Sequence, residues 1–266
     1  MSKILFFGDI IGKPGREVLK KVLPDLRLQY QPDVVIVNVE NAAHGKGVTL
    51  PIMDQLENLS IDAYTSGNHI FDKQEQAKEV FERFAKVVRP YNYINAELPG
   101  RGVYRFEKQG QWYAVVNLNG TVFFDKFPGG VGNAFFAFDE LVGTYTKEGD
   151  IIIVDFHAEA TSEKQALGWY LDGRVTAVLG THTHVPSQDW KILSKGTALV
   201  TDVGMNGPVN SVIGVKIQNS LQMFLEQGKF IMEPEEEGPR MCNAVLIETE
   251  NNKAIKIEKI YKIINS

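Results

Sequence analysis

The strongest constraint on how this chain can fold is a recurring unit. A short run of Val, Ile and other apolar residues stops on a polar group, and a helix-length segment follows. The run over 3–7 stops at Gly8-Asp9, and that over 33–39 at Glu40-Asn41. The run over 62–65 stops at Ser66-Gly67-Asn68-His69, that over 150–155 at Phe156-His157, and that over 175–179 at Gly180-Thr181-His182-Thr183-His184. Near-continuous Val/Ile runs suit strands covered on both faces, so an α/β fold is expected: mixed sheets flanked by helices. The spacing predicts helices over 14–29, 49–59, 72–84, 161–171 and 211–225. In the first, Val18, Leu19, Val22, Leu23 and Leu26 form one apolar face, and Pro24 is expected to kink the helix or end it early. Thr49 is read as an N-cap, and Thr161-Ser162-Glu163 as a capping pattern.

The middle and end read differently. Antiparallel pairs are expected for 103–106 with 112–118 and for 244–247 with 254–260. Residues 119–143, rich in Phe and Gly, are read as a loop-plus-helix, lid-like insertion overhanging a site. The acidic stretch around Pro234 reads as a solvated loop. No repeat or linker interrupts the 266 residues, so a single domain over 1–266 is expected, large enough to bury a core without disulfides. Any metal is then expected to be catalytic rather than structural.

A net charge of −5 gives no general attraction to nucleic acid or to an anionic membrane, so no stable nucleic-acid partner is expected. No run reaches the roughly 18 apolar residues that cross a bilayer. The lone Cys242 excludes an internal disulfide and a Cys-based zinc site. Cytoplasm is the default location; self-association into a homo-oligomer stays open.

The polar residues fall where an α/β sheet binds ligands, at the C-terminal ends of its strands. Of the five histidines, His69, His157, His182 and His184 stand at strand ends and His44 does not. Asp9 and Glu40 offer carboxylates, and Asn41 and Asn68 neutral amide oxygens. A mixed N/O set without thiolate suits Mn, Fe or Zn better than Ca. Asp9, Glu40, Asn41, Asn68, His157, His182 and His184 are more ligands than one ion needs. Two ions sharing a carboxylate would use them, about 3.5–4 Å apart, clamping a phosphoryl group for attack by a metal-bound hydroxide. His182 and His184, two apart on an extended segment, would point the same way, one to each ion. Residues 8–16 look like a phosphate-cradling loop but lack P-loop or G-x-G-x-x-G spacing, and a tight strand-to-helix turn explains their glycines better. A phosphate contact by Lys46 stays open.

These motifs together resemble the calcineurin-like metallophosphoesterase superfamily. Gly67-Asn68-His69 and Gly180-Thr181-His182-Thr183-His184 match its Gly-Asn-His and Gly-His-x-His elements, the second with an inserted Thr. Asp9-Ile10-Ile11 lacks the expected third-position His, and Glu40-Asn41 replaces an Asp motif. Those departures resemble the YmdB-like family of bacterial cyclic-nucleotide phosphodiesterases. So do Asp155-Phe156-His157-Ala158-Glu159-Ala160-Thr161-Ser162-Glu163-Lys164 and Thr201-Asp202-Val203-Gly204-Met205, and the resemblance spans about residues 3–262. It implies a metallophosphoesterase-type α/β sandwich with two divalent or trivalent ions, iron or manganese in type, with Zn or Mg as alternatives. Asp9, Glu40, Asn41 and His184 would hold one ion. Glu40, Asn68, His157 and His182 would hold the other, with Glu40 bridging. His69 would be the catalytic proton donor, and imidazole titrates near neutral pH as that role requires. The implied substrates are 2′,3′-cyclic nucleotides such as 2′,3′-cAMP. A broader phosphatase or RNA-end phosphoesterase would use the same metal site, and a regulatory nucleotide-binding protein with slow catalysis is the alternative from another class.

Overall fold

The computed structural model describes residues 1–95, 97–124, 130–226 and 233–265. In chain order its elements are β1 (Ser2–Phe7), α1 (Gly12–Tyr30), β2 (Val34–Asn38), α2 (Leu50–Glu57), β3 (Ala63–Thr65), α3 (Gln74–Arg83), β4 (Val103–Lys108), β5 (Gln111–Asn119), α4 (Ala134–Leu141), β6 (Ile151–His157), α5 (Thr161–Tyr170), β7 (Ala177–Thr181), β8 (Lys191–Ile192), β9 (Ala198–Val200), β10 (Gly207–Pro208), α6 (Ile217–Glu226), β11 (Arg240–Glu250) and β12 (Lys253–Ile264).

They build two six-stranded mixed sheets. In the first, β1, β2 and β3 run parallel, and β11 pairs antiparallel with β1, β10 and β12. In the second, β5, β6, β7 and β9 run parallel, with β4 and β8 antiparallel at the edges.

The pleat sorts each strand's side chains to two faces. Ile4, Phe6 and Ile36 of the first sheet meet Val115, Ile153 and Leu179 of the second in a core between the sheets. Leu5, Phe7 and Val37 face outward against the helices of the first half, including Val18, Leu19 and Leu23 of α1. Val116, Val154 and Val178 face outward against Phe138 of α4 and Leu167 of α5. The result is a four-layer α/β/β/α sandwich, and both faces of the central strands are covered, as their unbroken apolar runs require.

Several expectations need correction. Pro24 does not end α1, which continues to Tyr30. Pro24 and Lys20, whose carbonyl loses its usual partner, both lie on the exposed face, where water replaces the missing N–H. Thr161 is the first residue of α5, not its cap; Ala160 takes that position. Glu163 instead accepts from the backbone N–H of Thr121 and Val122. The last helix begins at Ile217 rather than at 211, because Val212 and Val215 pair across a tight turn. The acidic stretch is not only a solvated loop, since Pro234 pairs with Val215 beside the site. Within 119–143, α4 packs on the outer face of the second sheet and 125–129 lie outside the described residues. Among the described residues no helix is long and apolar enough to cross a membrane.

Candidate active site

The parallel strands of both sheets deliver their C-terminal ends to one edge of the sandwich. A cavity of about 370 Å³ opens there, lined by Glu40, Asn41, His69, His157, His182 and His184. Asp9 lies fully buried beneath, its Oδ2 accepting from the His182 N–H at 3.2 Å. Asn68 points its Oδ1 at His157 Nε2, 2.9 Å away. All eight candidate residues thus come together, from β1, β2, β3, β6 and β7 or the turns that follow them.

Local sequence explains the approach. A Cβ on Gly67 would sit 2.3 Å from the His157 ring, so only glycine lets the 67–69 turn lie against that imidazole. The geometry of the two later histidines differs from expectation. Strand β7 stops at Thr181, and His182 and His184 have φ of 102° and 65°, so they are not two residues of one extended strand. They reach the cavity through a left-handed turn, a conformation that side chains adopt only when surrounding contacts hold it.

The side-chain donors fall into two groups. His157 Nε2 lies 2.9 Å from Asn68 Oδ1, 3.1 Å from His182 Nδ1 and 3.6 Å from Glu40 Oε1. His184 Nε2 lies 3.3 Å from Asn41 Oδ1. The other ring nitrogens are engaged elsewhere. His157 Nδ1 meets Thr181 Oγ1 at 2.9 Å, His182 Nε2 meets Glu159 Oε2 at 3.1 Å, and His184 Nδ1 meets the Ile213 carbonyl at 2.7 Å. With a proton on each of those outer nitrogens, the inner nitrogens and the amide oxygens present lone pairs to one another, with no hydrogen between them.

The carboxylates carry the same message. Asp9 Oδ1 and Glu40 Oε2 are buried without a hydrogen-bond partner among the described residues. Burial raises the Asp9 carboxyl and pushes the Glu40 carboxyl well above its ordinary range. Burial, with neighbouring His182, holds His157 well below its ordinary value; burial, with His184, pulls His182 down to about 3. A cation held among these groups would favour both the ionised acids and the neutral imidazoles, so the donor set is chemically suited to one. Among the described residues His, Cys, Asp and Glu alone form no three-membered metal cluster. The convergence depends on the oxygens of Asn41 and Asn68, a donor set that fits hard or borderline metal ions.

Sequence reasoning missed the layer behind these donors. Thr181 Oγ1 donates to Asp155 Oδ1 at 2.7 Å, and Asn38 Nδ2 donates to Asp155 Oδ2 at 2.8 Å. Burial pushes Asp155 up to about 7. The signal was available: a carboxylate inside the apolar run of β6 has to find partners. His69 Nδ1 meets Asp72 Oδ2 at 2.9 Å, and Lys46 Nζ lies 3.6 Å from the same oxygen. The His69 N–H also donates to Glu40 Oε1. Phe124, at the front of the 119–143 stretch, brings its ring centroid within 4.7 Å of that of His182. The 8–16 segment is a tight strand-to-helix turn, as the simpler reading held: Arg16 donates to the Ala42 carbonyl and does not line the cavity.

The comparisons agree with this architecture. Residues 5–260 match the model of the family described as YmdB-like protein. The chain belongs to the YmdB-like family. A relative from Bacillus subtilis (strain 168), named 2′,3′-cyclic-nucleotide 2′-phosphodiesterase, is 42% identical over 97% of this chain and 96% of its own. A crystal structure described as a novel phosphatase from Mycoplasma pneumoniae superposes with a TM-score of 0.91 at 38% identity, covering 99% of this chain and 95% of that one. Outside the family, a 5′-nucleotidase precursor from Thermus thermophilus shares the fold, with a TM-score of 0.54 at 10% identity over 99% of this chain and 54% of that one.

Proposed function

We propose that this YmdB-like chain is a two-metal phosphodiesterase that opens 2′,3′-cyclic nucleotides. The observation that carries the reading is the pair of buried carboxylate oxygens, on Asp9 and Glu40, that have no hydrogen-bond partner among the described residues, in a site where two sets of lone pairs converge. Asp9, Asn41 and His184 would hold one ion; Asn68, His157 and His182 would hold the other, with Glu40 between them. When bound, the ions would supply positive charge against the phosphate oxygens and make the attacking water more acidic. The nitrogen and oxygen donors suit iron or manganese. The Bacillus relative's name supplies the substrate class.

The chain's own residues do the rest. Asp72 takes the Nδ1–H of His69, which fixes the ring and leaves Nε2 for the substrate. Hydrolysis of a 2′,3′-cyclic phosphate adds water across a P–O bond, forming a new P–O bond and freeing a ribose oxygen. That alkoxide is a poor leaving group, and a proton from His69 Nε2 lets it depart as a hydroxyl. Ile11, Ile213, Val215 and Pro234 also line the cavity and give an apolar surface for the rest of the nucleotide.

The test is metal analysis of purified protein with a panel of bis-p-nitrophenyl phosphate, p-nitrophenyl phosphate, 2′,3′-cAMP and 3′,5′-cAMP. Two ions per chain and a preference for 2′,3′-cAMP are expected. Fewer than one ion after reconstitution, or a strong preference for the monoester, would overturn the proposal.

A further inference from the structure

Two pieces of the sequence signatures have no place in the ligand set: Glu163-Lys164, at the far end of the stretch that contains His157, and Thr201-Asp202-Val203-Gly204-Met205. In the fold they meet. Lys164 Nζ from α5 lies 2.8 Å from Asp202 Oδ2, which follows β9, and the two side chains are 2% and 4% exposed. The same oxygen accepts from the Thr183 N–H at 3.0 Å and the Thr183 hydroxyl at 2.7 Å. Asp202 Oδ1 accepts from the Gly204 N–H at 2.8 Å, and Met205 N–H donates to the His184 carbonyl at 3.1 Å. Thr183 stands between the two histidines whose backbones are left-handed.

We propose that the buried Lys164–Asp202 pair is a clamp that grips Thr183 and so holds His182 and His184 in the turn from which both imidazoles reach the metal groups. The inference rests on the two-metal reading above. A buried ion pair adds little stability, because desolvation of both charges offsets their attraction, so its worth lies in what it fixes. Here it fixes a segment of disfavoured φ, which without these contacts would relax and carry both rings out of register. Lys164 and Asp202 are positioning residues: neither lines the cavity. Glu159, one residue before the cap of α5, holds His182 Nε2 at 3.1 Å, so one helix start controls the turn from two sides.

The experiment measures Mn²⁺ affinity of the full-length protein by chelator competition, with the melting temperature and circular dichroism of the chelator-treated protein alongside. Thr183→Val keeps the shape and the backbone N–H but removes the hydroxyl. It should weaken Mn²⁺ binding by about 10-fold or more while leaving the metal-free melting temperature unchanged. Thr183→Ser, which restores the hydroxyl, should restore the affinity. The double variant Lys164→Met with Asp202→Asn leaves no orphan charge behind and should also fold and bind Mn²⁺ more weakly. If both Thr183→Val and the double variant hold two ions as tightly as wild type, the clamp is wrong and the metal reading stands. The clamp is equally wrong if affinity falls only in step with loss of folded protein. Wild-type protein that binds no metal would overturn both.

Discussion

Replacing Glu40 by Gln should make the metal-free protein more stable and the metal-supplemented protein less so. Glu40 is 1% exposed; one carboxylate oxygen takes the His69 N–H, and the other has no partner among the described residues. Burial and the nearby Asp9 oppose its ionisation. A Gln at this position can keep the bond to His69 and point its NH₂ toward surrounding lone pairs. Relieving one unsatisfied buried acceptor is worth about 1–3 kcal/mol. For a chain of this size that raises the melting temperature by roughly 2–10 °C in chelator. With metal the order reverses. An ion at a thousandfold excess over its Kd adds about 4 kcal/mol to the wild type, and a variant without the shared carboxylate forgoes most of it. The assay is thermal unfolding of both proteins in EDTA and in Mn²⁺, and the signature is a crossing of the two orders. A Gln variant that melts below wild type in EDTA, or gains as much as wild type from Mn²⁺, would refute the reasoning.

The other expectations are more local. His69→Ala should keep both ions and lose about 10²–10⁴ in diesterase kcat; metal content by mass spectrometry and full retention of rate would sink the proton-donor role. Asp72→Asn should lower kcat with KM and metal content unchanged, because only the hold on the His69 ring is altered; a rise confined to KM would contradict this. Gly67→Ala forces a methyl into the His157 ring and should cost about 1–3 kcal/mol together with the metal-dependent rise in melting temperature, read by calorimetry. Lys259 donates to the Val203 carbonyl, and burial pulls it from 10.5 down to about 8. The folded protein therefore gives up this proton before the unfolded chain does, and stability should rise between about pH 8 and pH 10.5, by at most about 3 kcal/mol. In Lys259→Met that rise should vanish from urea titrations across the window; an identical pH slope in both proteins would count against it.

Much of this molecule was legible in one dimension. Both sheets could be anticipated because strands covered on two faces leave unbroken apolar runs, as in β2 and β6. That the eight candidate residues would meet was legible because a parallel sheet gathers its strand ends at one edge. Tertiary structure decided three other things. It carried α1 through Pro24, since the exposed side of a helix can give its carbonyl to water. It replaced the expected extended His182–His184 segment by a left-handed turn, whose conformation depends on Asp202, a residue from another strand end. And it built the support behind the donors, in which Thr181, Asp155 and Asn38 brace His157, and Asp72 braces His69. Those partners lie up to 143 positions apart in the chain. Local sequence sets which residue types stand at each strand end, through period and polarity. Which lone pairs face one another is set only when the two sheets pack and bring their ends to one edge.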